Sequence, residues 1–171
     1  MPLEIEIKLR VADHDLVRDR LRAAGAERVG VVTETNRFFD DGSLAAGGCG
    51  LRVRTNAGDA GQRHVVTFKG PRQPGELKIR EEIEFDTNDA AATAAVLEKL
   101  GLSPALSFAK TRETWRLGGC TVELDDLPEL GRFTEIEGPT EAAVLAVRST
   151  LGLDDAAVEP EGYATLIARR R

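Results

Sequence analysis

The sequence predicts an α+β fold: an eight-stranded antiparallel β-barrel, a tunnel with a charged lumen, flanked by helices. Three observations lead there. Segment after segment alternates charged with aliphatic residues, turn signals separate the segments, and like charges recur at i, i+2 along them. Successive side chains of a strand point to opposite faces, so each segment carries one ionic and one apolar face. About eight strands is also the number that closes a barrel around one small ligand.

Residues 4–11, Glu-Ile-Glu-Ile-Lys-Leu-Arg-Val, set the pattern. As a strand they place Glu4, Glu6 and Lys8 on one face and Ile5, Ile7 and Leu9 on the other. The stretch that follows is acidic early, arginine-rich late and stopped by Gly25, which reads as a helix. The unit recurs at Glu82-Ile83-Glu84 and at Glu135-Ile136-Glu137, each leading into an alanine-rich helical stretch that ends at Leu-Gly. Such recurrence hints at an internal repeat. Further alternating segments cover 36–40, 51–55, 63–69, 78–85, 108–117 and 121–125, and Gly118-Gly119 marks a tight hairpin. The total is about eight strands and four helices. Residues 1–171 form one domain, with no linker to divide them.

Composition excludes several function classes. With 42% hydrophobic and 30% charged residues, the chain reads as globular. No apolar run approaches the roughly 20 residues of a membrane helix, and no leader-like stretch opens the chain, so a cytoplasmic location is expected. A net charge of −6 opposes general nucleic-acid binding. Cys49, Cys120, His14 and His64 are too few and too scattered for a thiolate–imidazole zinc site. The glycines at 47, 48 and 50 lack the Lys-Ser or Lys-Thr of a phosphate loop and read as a turn. Arg169, Arg170 and Arg171 read as a solvated helix end.

What remains is the ionic face itself. One alternative is a single sheet whose charges meet water. Against it stand the like-sign i, i+2 pairs and the scarcity of Thr, Ser and Gln at those positions. Turned inward, the charges demand partners, because an unpaired buried ion costs several kcal/mol. Carboxylates recruit hard divalent cations, whereas arginine and lysine recruit phosphate oxygens. A cavity holding both suits a metal-chelated triphosphate.

These residues resemble the CYTH superfamily of triphosphate tunnel metalloenzymes, marked by an N-terminal Glu-x-Glu-x-Lys, here Glu4-Ile5-Glu6-Ile7-Lys8. The resemblance continues through Leu51-Arg52-Val53-Arg54, Thr67-Phe68-Lys69-Gly70-Pro71, Glu82-Ile83-Glu84, Lys110-Thr111-Arg112, Glu123-Leu124-Asp125 and Phe133-Thr134-Glu135-Ile136-Glu137. It implies that Glu4, Glu6, Asp125, Glu135 and Glu137 hold Mg²⁺ or Mn²⁺. It further implies that Lys8, Arg52, Arg54, Lys69, Lys110 and Arg112 grip the substrate, with Glu82, Glu84 and Glu123 in support. The turn after Lys69, the Leu130-Gly131-x-Phe133 segment and Tyr163 look most like the class IV adenylyl cyclase branch, which converts ATP to cyclic AMP and pyrophosphate. Asn36-Arg37-Phe38-Phe39-Asp40 departs from that family's tyrosine-containing pattern.

The expected function is therefore metal-dependent cleavage of a triphosphate, with adenylate cyclase first. Hydrolysis of tripolyphosphate, thiamine triphosphate or a nucleoside triphosphate is the alternative. A non-catalytic phosphate-binding module is a rival of another class, as is a structural β-domain. Lys8, Lys69 and Tyr163 are the candidates for proton transfer. The partners expected are a small-molecule triphosphate and no nucleic acid or membrane, with the chain a monomer or homodimer.

Overall fold

The structure, a computed structural model, describes residues 3–171. Eight strands form it: β1 (Leu3–Val11), β2 (Glu27–Asp40), β3 (Gly50–Gly58), β4 (Gly61–Lys69), β5 (Lys78–Thr87), β6 (Ser103–Leu117), β7 (Cys120–Leu127) and β8 (Gly131–Glu137). They close into a barrel in the order β1-β5-β4-β3-β2-β6-β7-β8, and each register resolved between neighbours is antiparallel. The predicted fold class is the observed one. Five helices accompany the strands: α1 (Asp15–Ala23), α2 (Ser43–Ala46), α3 (Ala90–Lys99), α4 (Glu141–Thr150) and α5 (Tyr163–Ala168). The sequence predicted four; α2 is a single turn, too short to leave a periodic signal. No helix among the described residues is long and apolar enough to cross a membrane.

The chain divides into two compact units. One comprises Val32–Gln73 and Arg80–Lys110 with the start of β1. The other comprises Glu4–Val31, Pro74–Ile79 and Thr111–Arg171. The second unit holds the larger core. Ile7 and Leu9 of β1, Val122 and Leu124 of β7 and Ile136 of β8 pack against Val17 and Leu21 of α1, Val144 and Val147 of α4 and Leu151 just beyond it. Burial of each such side chain contributes about 1.5–3 kcal/mol. In the first unit, Phe39, Val53 and Val66 pack against Ala94 of α3. The apolar face of these strands thus lies beneath helices, and Glu4, Glu6, Lys8, Arg52, Lys110 and Arg112 on their ionic face are buried as well. Cover is incomplete on β5, where Ile83 and Phe85 remain exposed.

Local chemistry explains the helix ends. Asp89 accepts from the backbone of Ala92 at 2.8 Å, and Thr140 accepts from that of Ala143 at 3.2 Å, capping α3 and α4. The Gly118-Gly119 hairpin is as predicted: Leu117 pairs with Cys120 across two glycines at φ +58° and +77°. Two successive positive φ angles are what a two-residue turn between right-twisted strands requires.

Candidate active site

Ionic side chains gather in one cluster in the first unit and in two in the second, most of them buried. In the first unit, β3 supplies Arg52 and Arg54, β4 Thr67 and Lys69, and β5 Glu82 and Glu84, while β6 brings Lys110. Lys69 meets Glu82 at 2.6 Å. Arg52 donates to Thr67 Oγ1 at 3.1 Å, and Thr67 donates in turn to Glu84, an exposed carboxylate, at 3.0 Å. These contacts fit a supporting role for Glu82 and Glu84, which hold cations or the hydroxyl beside them.

Glu34 and Asn36 of β2 also enter this cluster, and neither belongs to the site residues expected from the sequence. Glu34 is 2% exposed and bridges Arg54 at 3.3 Å and Lys110 at 3.4 Å. Asn36 accepts from Arg54 Nε at 3.1 Å. Arg52 is buried, and its Nε has no hydrogen-bond partner among the described residues. Burial, then the neighbouring Arg54, lower its pKa to about 10, against the pull of Glu34, Glu82 and Glu84. It therefore remains a cation at neutral pH. A buried guanidinium with an unused donor is poised for an anionic acceptor, since leaving it unmet costs stability.

In the second unit, Glu4 and Glu6 alternate on β1, and Glu137 of β8 stands opposite Glu6 in the register. Each can present one oxygen within 4.8 Å of the others. Like charges directly opposite one another destabilise a sheet unless a cation intervenes. Lys78 pairs with Glu6. Hard oxygen donors this close suit a divalent cation such as Mg²⁺, whose ligands lie about 2.0–2.1 Å away. The residues present fit the ion.

Asp125 and Glu135, also expected as metal ligands, sit elsewhere in the same unit, around Arg112. That guanidinium grips Asp125 through two donors at 2.7 and 2.5 Å, reaches Glu135 at 2.5 Å and pairs with Glu123. The opposed Glu123 and Glu135 thereby share one cation with Asp125. Lys8 approaches Glu135 at 3.4 Å, donates to the Glu161 carbonyl at 2.8 Å and lies 4.0 Å over the ring of Tyr163. Tyr163 donates to Asp125 Oδ2 at 2.8 Å. Burial, followed by Glu135 and Asp125, pushes its pKa well above the ordinary phenol range. A phenol so placed keeps its proton at neutral pH and acts by holding Asp125. His14 is buried away from these clusters, 2.9 Å from the Phe133 carbonyl, while Cys49 and Cys120 are free thiols.

The sequence matches the model of the CYTH domain over residues 2–163. The chain belongs to the CYTH family. A Methanocaldococcus jannaschii protein named "Putative adenylate cyclase" is 28% identical over 137 residues, 79% of this chain and 76% of that protein. Among solved structures, a Pyrococcus horikoshii protein superposes with a TM-score of 0.86 at 24% identity, covering 98% of this chain and 99% of its own. A Hippeastrum protein, described as a "putative adenylyl cyclase" with a dominant triphosphatase activity, gives 0.73 at 21% identity and covers 99% and 95%.

Proposed function

We propose that this CYTH protein is a divalent-metal-dependent enzyme that cleaves a triphosphate, with cyclisation of ATP as its leading reaction. The observation that carries the reading is the buried cationic cluster in the first unit, beside three gathered carboxylates in the second. Around Arg52, Arg54, Lys69 and Lys110 the cations outnumber the buried carboxylates, and Arg52 keeps a buried donor unused. Glu4, Glu6 and Glu137 bring three carboxylate oxygens within 4.8 Å of one another. The first set suits phosphoryl oxygens, and the second suits a divalent cation. A bound Mg²⁺ or Mn²⁺ would supply neutralisation of charge developing on the phosphoryl oxygens.

The chain's own residues then do three things. Arg52, Arg54, Lys69 and Lys110 bind and orient the polyphosphate, which is the main requirement of phosphoryl transfer. Arg112 fixes Asp125, Glu135 and Glu123 in place. Tyr163 and Lys8 tie the segment leading into α5 to that hub. Neither Lys8 nor Tyr163 is disposed as a general base, since one donates to a carbonyl and the other retains its proton.

The cyclase reading follows the name of the Methanocaldococcus relative, and it needs the ribose 3′-hydroxyl held in line with the α-phosphorus. Hydrolysis is a second reading, favoured by the activity ascribed to the Hippeastrum protein. Incubation with ATP, tripolyphosphate or thiamine triphosphate, each with Mg²⁺ or Mn²⁺, followed by chromatography, separates the two. Cyclic AMP with pyrophosphate supports the cyclase, released orthophosphate supports the hydrolase, and no turnover of any of them defeats both.

A further inference from the structure

We infer that Asn36 is a substrate-binding residue of the CYTH site, its Nδ2 donating to a phosphoryl oxygen while its Oδ1 orients Arg54. The inference rests on the triphosphate reading above and adds a contact that the motif residues do not include. Asn36 lies on β2 opposite Arg54 of β3 and is 1% exposed. Its Oδ1 accepts from Arg54 Nε. A guanidinium nitrogen can only donate, so this bond fixes which end of the amide is oxygen. Nδ2 is consequently the other end, and it is buried with no acceptor among the described residues.

Arg52, two residues from Arg54 on the same strand face, carries a second buried donor without an acceptor. Two unmet donors on adjoining strands of one unit define a patch that seeks oxygen acceptors. Buried polar groups are satisfied in the great majority of folded proteins, so the exceptions call for a ligand or a functional reason. The amide also explains its own neutrality. An aspartate at 36 would pair with Arg54 and cancel its charge, whereas asparagine orients the guanidinium and leaves its charge for the substrate.

The test compares binding of tripolyphosphate in the presence of Mg²⁺ by titration calorimetry for the wild-type chain, Asn36→Ala and Asn36→Asp. Asn36→Asp keeps the acceptor for Arg54 but loses the donor and adds a negative charge, so unchanged affinity in it excludes a phosphate contact at Nδ2. We expect about tenfold weaker binding for alanine and at least about a hundredfold for aspartate, the range of a hydrogen bond to a charged group plus like-charge repulsion. Wild-type affinity in Asn36→Asp would overturn the inference and leave the triphosphate reading standing. Absence of binding by the wild-type chain would remove both. Should the variants fail to fold, the side-chain amide resonances of Asn36 in the wild-type chain decide. They shift on adding tripolyphosphate if Nδ2 is the contact, and unmoved resonances refute it.

Discussion

Tyr163 offers an unusually clean perturbation because it is the single tyrosine of the chain. Its hydroxyl donates to Asp125 Oδ2 at 2.8 Å, and Asp125 is fully buried. Tyr163→Phe removes that bond and little else, since the ring keeps its edge contact with Phe133 and its place under Lys8. A hydrogen bond to a charged group is worth about 1.5–3 kcal/mol. Arg112 still holds Asp125 in the variant, which puts the expected loss near the lower end, about 1.5–2 kcal/mol at pH 7.5.

The pH dependence follows from the raised pKa. In the folded chain the phenol keeps its proton above pH 10, whereas in the unfolded chain it ionises near 10. Above pH 10 the folded state therefore binds more protons than the unfolded one. Wild-type stability then falls by about 1.36 kcal/mol per pH unit from this group, until the folded pKa is reached. Tyr163→Phe lacks the group, so the gap between wild type and variant closes as pH rises above 10. Urea denaturation of both chains from pH 7.5 to 11 reads that difference, and lysines and arginines, common to both, largely cancel. Absorbance at 295 nm gives an independent reading: tyrosinate should appear only as the chain unfolds. A phenolate transition centred near pH 10 in the folded protein, or a stability gap constant with pH, would refute the reasoning.

Other perturbations follow from the same geometry. Glu6→Gln should lower metal-dependent turnover by at least about a hundredfold while the ligand-free fold persists, because it removes the charge of one of three clustered carboxylates; circular dichroism and turnover assays together check this. Gly138→Ala should cost about 1–3 kcal/mol in denaturant unfolding, since an added Cβ would lie 2.6 Å from Cys120 Sγ and 3.1 Å from Val144 Cγ2. Combining it with Cys120→Ala should cost less than the sum of the two single changes, measured as a double-mutant cycle. His14 has a lowered pKa, through burial and against its bond to Phe133, so the folded state resists protonating it. Its contribution is complete above pH 6.5 and declines as pH falls below that value, and His14→Asn should flatten this acid limb in urea titrations.

Much of this arrangement was legible in the sequence because its chemistry has period two. On β1, Glu4, Glu6 and Lys8 alternate with Ile5, Ile7 and Leu9, and both sets are buried or nearly so, the ionic one inward and the apolar one mainly under α1 and α4. The same alternation runs through the segments that carry Arg52, Arg54, Lys69, Lys110 and Arg112, whose roles the family resemblance implied. It failed on the first half of β2, which starts at Glu27 rather than near Asn36. There Thr33 and Thr35 stand where aliphatic residues mark the other strands, so Glu34 and Asn36 carry no contrast of polarity to reveal them. Alternation assigns a face but not a partner. That Glu137 gathers with Glu4 and Glu6 while Asp125 and Glu135 gather on Arg112 depends on registers between strands far apart in sequence. Tyr163 was visible as a candidate, but its bond to Asp125 depends on the path of the chain from 151 to 163. That path is held by contacts such as the Leu9–Val158 bridge and the Glu159-to-Lys8 backbone bond, which no local pattern announces.

The proposed function requires a triphosphate and its divalent cation to bind this chain together. Thermal unfolding in tripolyphosphate, with Mg²⁺ and then with excess EDTA, tests that requirement most directly. A ligand at a hundredfold its dissociation constant stabilises the folded state by about 2.7 kcal/mol, so the melting temperature should climb with Mg²⁺ present and fall back when EDTA removes it. A melting temperature indifferent to tripolyphosphate, or raised equally with and without the metal, would contradict the account.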